Sequence, residues 1–112
     1  MALSNTTVAT TSTGTLLLGP IPTGKTYAVV VMFFTNSSAL AETLSVYAYP
    51  DASALTGTPA TDNKNFLIKD LSIEGGDTFT FNAEKLLIDA DDSIIAVSSG
   101  GNIQAVLSYT EI

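Results

Sequence analysis

The sequence predicts an all-β protein, a single antiparallel β-sandwich with a jelly-roll-like arrangement of about eight strands. Three observations lead there. Short runs of β-branched and aromatic residues recur between clusters of Gly, Pro, Asn, Asp and Ser, at the spacing of a sandwich or barrel. Several runs alternate apolar and polar residues, the period of a half-buried strand. Helical periodicity is nearly absent: "SALAETL" at 38–44 is the one segment with helix propensity, and it is too short to stand alone.

Taken in order, the opening "MALSNTTVATTST" is rich in Ser and Thr and carries no strong apolar face, so residues 1–13 read as an N-terminal arm ahead of a sandwich domain at 14–112. Such an arm suits addition as an extended strand to a neighbour's sheet edge, with Leu3 and Val8 as its anchors. From Gly14 the strand candidates are "TLLL", "TYAVVVMFFTN", "TLSVYAYP", "KNFLIKDLSI", "TFTF", "KLLI", "SIIAVSS" and "IQAVLSYTEI". Turn residues divide them, together with one long polar stretch, "DASALTGTPATDN", at 51–63.

In "TLSVYAYP", Leu44, Val46 and Ala48 point one way while Thr43, Ser45, Tyr47 and Tyr49 point the other. In "YAVVVMFF", strict alternation places Tyr27, Val29, Val31 and Phe33 on one face and Ala28, Val30, Met32 and Phe34 on the other, so both faces are apolar. A sandwich core takes only one face, and the second needs a cover: the arm, the 51–63 stretch or another subunit. Another subunit is the reading favoured here, since the intrachain covers are mostly polar; it implies a homo-oligomer, a trimer or a lattice-dependent assembly.

The stretch "GPIPTGKT" at 19–26 fits the phosphate-binding pattern G-x-x-x-x-G-K-[ST], and "KLLID" ends in an aspartate, Asp89, of the kind a magnesium site would want. The motif works through a loop of N–H donors that feeds a helix N-terminus. Pro20 and Pro22 remove two donors, and the residues after Thr26 read as a strand. The match is a proline-glycine turn between strands, and no nucleotide or other cofactor is expected.

Composition narrows the chemistry further. The 112 residues include no histidine and no cysteine, which excludes Ser-His-Asp and Cys-His pairs and soft-metal sites. The charge balance is Lys+Arg 4 against Asp+Glu 11, and every cation is a lysine. A net charge of −7 opposes binding to nucleic acid or to an anionic membrane surface. The longest apolar run is far short of a bilayer span, and the opening residues lack the basic region of a signal peptide.

Three constellations remain to be weighed. Asp89, Asp91 and Asp92 put oxygen ligands at alternate positions, as a calcium loop does, but an EF-hand needs Gly and Glu where this chain has Ile94 and Gly100, so a solvated turn is expected. A glycosidase needs two facing carboxylates, and the sequence pairs none of Glu42, Asp77 and Glu84. Tyr47 and Tyr49 share a face at the spacing of a sugar-stacking platform or of a wet protein interface.

The segments "IPTGKTYAVVVMFFTNSS", "LSVYAYP", "SIEGGDTFTFNAEKLLIDADDSIIAVSS" and "IQAVLSYTEI" together carry a resemblance. Over residues 20–112 the chain resembles small, roughly hundred-residue virion structural proteins of tailed phages, notably marine ones. In that group a Pro-Thr/Ala-Gly-Lys turn, an Asn-x-Ser loop, a Val-Tyr-x-x-Pro strand, a Gly-Asp-x-x strand and a Glu-Lys-x-x-Leu strand follow in this order. Asp91 departs from the pattern by standing where the group often has glycine. The resemblance implies a non-enzymatic virion component, and the acidity favours the outer surface. A head decoration or cement protein bound to the major capsid protein is the first expectation. A neck, tail or baseplate component is the second, and a carbohydrate-binding module on the virion is the rival of another class. The interface residues expected on these grounds are Leu3, Val8, Tyr27, Val29, Val31, Phe33, Tyr47 and Tyr49.

Overall fold

The structure, a computed structural model, describes residues 2–11, 14–49 and 66–112, with the backbone alone for 83–85. Eight strands make up the fold: β1 (Ala2–Val8), β2 (Thr15–Leu18), β3 (Tyr27–Asn36), β4 (Glu42–Tyr49), β5 (Phe66–Ile73), β6 (Thr78–Ile88), β7 (Ser93–Ser98) and β8 (Ile103–Glu111). They form two four-stranded antiparallel sheets, ordered β1-β8-β3-β6 and β2-β7-β4-β5. Strand 1 pairs with 8, 2 with 7, 3 with 6 and 4 with 5. That is one long antiparallel ribbon rolled into a sandwich, the jelly roll the strand spacing predicts. No described residue is helical, and the 38–44 segment divides into a loop and the start of β4.

The total of eight agrees with the sequence reading through two compensating differences. "TFTF" and "KLLI" are one strand, β6, continuous through Asn82–Ala83–Glu84. The expected arm is instead a strand of the chain's own sandwich: residues 2–8 pair antiparallel with β8, from Ala2 opposite Tyr109 to Val8 opposite Ile103. A polar strand is stable there because it occupies a sheet edge, where one face and one side stay wet. Val8 is fully buried and fixes the strand to the core, while Ser4 donates to the Leu17 carbonyl across the sandwich. Ser98 Oγ closes the far end by donating to the Val8 carbonyl at 2.9 Å.

The face assignment of β3 is also corrected. Its pairing with both neighbours shifts between Val29 and Val31: Val29 pairs with Tyr109 and Val31 with Ser108, so Val30 is an extra, bulged residue against β8, whereas against β6 the excess lies on β6, whose residues 83–85 stand opposite Val30. A bulge reverses which side chains face the core from that point on. Val29 is buried before it; Met32, Phe34 and Asn36 are buried after it. Val31 and Phe33 therefore point away from the core, Phe33 being 39% exposed. The core between the sheets collects Phe34, Met32, Val29, Leu44, Val46, Ile94, Ile103 and Leu107, all at most 1% exposed.

Two outcomes are expected. Phe34→Ala should cost about 3–5 kcal/mol in chemical denaturation, because the vacated volume lies at the centre of the core. Deleting residues 2–8 should lower the melting temperature, since it uncovers the β8 edge and removes Val8; an unchanged melting temperature would mean that β1 is not an integral strand.

Candidate interaction surface

The phosphate-loop lookalike is fully committed to holding one end of the sandwich. Ile21 is buried and bridges to Ala90, with its N–H bonded to the Asp92 carbonyl and its own carbonyl accepting from Asp91. Lys25 pairs with Glu111 at 3.1 Å, and Thr26 Oγ1 donates to Asp89 Oδ1 at 2.6 Å. The lysine, threonine and aspartate that a nucleotide site would use thus bind protein groups, and strand β3 begins where a helix would have to start.

The "DADD" cluster is a turn. Asp92 Oδ2 accepts from the Asp89 N–H at 2.9 Å, and Asp91 takes a left-handed φ of 69°. Aspartate tolerates that conformation, so the turn needs no glycine there. Among the described residues, no three or more aspartate or glutamate side chains gather as metal ligands would. Asp77 gives its carbonyl to the Asn36 N–H, and the side chain of Glu84 lies outside the described residues.

The opposite end is organised by Asn36 and Glu42. Asn36, fully buried, donates from Nδ2 to the carbonyls of Leu40 and Ile73, and its Oδ1 accepts from the Ser38 N–H and hydroxyl. The Asn-x-Ser pattern is the local turn that stops β3. Glu42 is 7% exposed and accepts from the Asn102 side chain at 2.8 Å and from the Asn102 N–H at 3.1 Å. The Asn102 bonds hold its carboxyl below the usual glutamate range.

The outer face of the β2-β7-β4-β5 sheet carries Tyr47, Tyr49 and Ile95 with Phe66 and Val97 against them. Tyr47 and Tyr49 point away from the core as alternation predicts, but they are 2% and 6% exposed, which removes them as an open stacking platform. The Phe66 ring lies 4.5 Å from the Tyr47 ring, and burial pushes the Tyr47 hydroxyl pKa up. The 51–63 stretch expected as a possible cover lies outside the described residues.

The outer face of the β1-β8-β3-β6 sheet is different, because most of its side chains are exposed or half-buried, with Ser108 the buried exception. Strand register arranges them in rows. Thr7, Gln104, Thr35 and Thr78 form the first; Asn5, Val106, Phe33 and Thr80 the second; Leu3, Ser108, Val31 and Asn82 the third; Thr110, Ala28 and Leu87 the fourth. The first row is hydrogen-bonded, Thr7 to Gln104 at 2.6 Å and Thr35 to Thr78 at 2.8 Å. Leu3 and Leu87 are 71% and 58% exposed. None of these positions is charged, in a chain of net charge −7. Apolar residues lie on the middle strands, as Phe33, Val31 and Val106, and on both edge strands, as Leu3 and Leu87, interspersed with uncharged polar ones.

Of the expected interface residues, the structure brings Leu3, Val31 and Phe33 together on this face. Val8 and Val29 belong to the core and offer no contact surface. Tyr27 is half-buried at the sandwich end, packed on the core and tilted against Tyr109 with centroids 5.4 Å apart. Sequence reasoning missed Val106 and Leu87. The signal for Val106 was present: in "IQAVLSYTE" it is the apolar interruption of an otherwise polar alternate set.

Comparison with known protein families, curated proteins and solved structures finds no match to this chain.

Calorimetry with magnesium-ATP should show no binding, and Lys25→Ala should cost no more than about 1 kcal/mol, the scale of an exposed ion pair. Glu42 gives a pH test. Because its folded pKa is depressed, its stabilising effect is complete above the ordinary glutamate value of about 4.3 and disappears as pH falls through the folded value. Glu42→Gln should therefore lower the melting temperature at neutral pH, with the difference shrinking in acid.

Proposed function

We propose that the protein is a non-enzymatic structural component of a tailed-phage particle, a decoration or cement protein on the outer surface of the head that contacts the major capsid protein and other copies of itself. The observation that carries this reading is a partly exposed sheet surface of an acidic jelly roll on which none of the described outward residues is charged, which suits assembly better than catalysis. The jelly roll is an architecture used by viral capsid and lectin domains, an argument by fold analogy that agrees with the resemblance over residues 20–112. Absence of histidine and cysteine supports a role without catalysis, and the acidity supports a position away from packaged nucleic acid, on the virion exterior. The sugar-binding rival loses its two tyrosines to burial.

Labelling of intact particles with an antibody to this chain tests the proposal. Label over the outer head surface is the expected result. Label on the neck, tail or baseplate would transfer the role to those structures, and absence from purified particles would overturn it.

A further inference from the structure

We propose that the cleft lined by Tyr27 and Tyr109, at the end of the sandwich where β3 begins and β8 finishes, binds a neutral sugar ring, with the tyrosines as its apolar floor and the Lys25–Glu111 pair as its polar edge. Burial of Tyr47 and Tyr49 leaves β4 without a stacking platform, whereas this second tyrosine pair stays half-exposed. A ligand site here is additional to the assembly role and does not depend on it.

Strand pairing builds the site. Tyr27 stands opposite Glu111 and Tyr109 opposite Ala2, so the four side chains share the inward side of the sheet. They line a cleft of about 280 Å³, with Thr110 beside them. Both rings pack against the core and against each other, with centroids 5.4 Å apart and planes tilted by 31°. Core packing fixes the rings before any ligand arrives, which spares the cost of ordering them on binding. Neither tyrosine hydroxyl has a hydrogen-bond partner among the described residues. Ala2 contributes only a methyl group, which keeps the cleft open on the β1 side.

The chemistry of the lining selects the ligand. Half-exposed aromatic faces take apolar C–H patches, and around them stand acceptors on Glu111, donors on Lys25 and two phenols that do both. A sugar ring presents the matching set, C–H faces bordered by hydroxyls. Charge turns away the main competitors. Both carboxylate oxygens of Glu111 lie 3.1 Å from Lys25 Nζ, so a cation seeking an aromatic cage meets a carboxylate already matched. An anion approaches a chain of net charge −7. Volume limits the size: about 280 Å³ falls below the roughly 300 Å³ at which sites for drug-sized ligands begin, which suits one ring and not a nucleotide or a peptide.

Saturation-transfer NMR on the full chain tests the site. The probes are the methyl glycosides of glucose, galactose, mannose and N-acetylglucosamine at up to about 50 mM, because a ligand of about a dozen heavy atoms at ordinary efficiency binds in the millimolar range. At least one glycoside should receive saturation, strongest at its ring C–H protons. Tyr109→Ala should weaken that binding about tenfold or more through loss of half the floor. Ala2→Phe and Glu111→Ala lie at exposed positions, the first filling the cleft and abolishing transfer, the second weakening it about tenfold by removing the hydroxyl acceptor. Melting curves establish that each variant folds; should Tyr109→Ala not fold, the two exposed variants carry the test. Leu40→Ala, at the far end of the sandwich, should leave binding unchanged.

No transfer to any of the four glycosides, or binding that survives Ala2→Phe, would overturn the proposal. So would tetramethylammonium binding more tightly than every glycoside, which would give the cleft to a cation. The measurement needs no particle, so its failure leaves the labelling test of virion location standing on its own.

Discussion

One extra residue in one strand decides what this sandwich buries and what it shows. Val30 is the residue that β3, a middle strand of its sheet, carries in excess of β8, and at the same level β6 carries residues in excess of β3. Without it, Tyr27, Val29, Val31 and Phe33 would share a face and Met32 and Phe34 would turn outward. With it, Val29, Met32 and Phe34 enter the core together, and Val31 and Phe33 are left on the outside. The same bulge fixes that Val106 of β8 stands beside Phe33, while the irregularity within β6 brings Thr80 to its other side.

The ends of the sandwich keep that register in place. At one, Ile21, Thr26 and Asp89 tie the turn before β3 to the turn between β6 and β7. At the other, Asn36 stops β3, and Glu42 holds the loop that enters β8. At both ends polar groups are satisfied internally, and at the first the buried Ile21 side chain adds an apolar anchor. A phosphate-loop pattern and an acidic cluster that suggested chemistry are, in the fold, fasteners of neighbouring turns.

Much of the fold was legible because turn chemistry and two-residue alternation are local. The Gly-Pro and Asp-rich turns, the inward Leu44 and Val46 and the buried alternation of β8 all follow from sequence. The bulge was not legible, because Val29, Val30 and Val31 are identical side chains and nothing distinguishes the one that leaves the ladder. β1 was missed because an edge strand needs only one strong core contact, Val8, and its stability comes from main-chain pairing with residues a hundred positions away in sequence. The tyrosines of β4 had the right direction, but their burial depends on Phe66, Ile95 and Val97, which no local pattern associates with them. Of the candidate surface, Leu3, Val31 and Phe33 were foreseen, and their assembly into one face required the register of four strands.

The central claim is that β3 presents Val31 and Phe33 to solvent and Met32 and Phe34 to the core. The chain has no cysteine, so a single substituted thiol reports on one position without background. Thiol labelling of folded Val31→Cys, Met32→Cys, Phe33→Cys and Phe34→Cys, at a protein concentration low enough to keep the chain monomeric, reads the faces directly. Rapid modification at 31 and 33 with protection at 32 and 34 is the predicted result. Protection at 33 together with rapid modification at 34 in the folded monomer would contradict the bulge and the surface built on it.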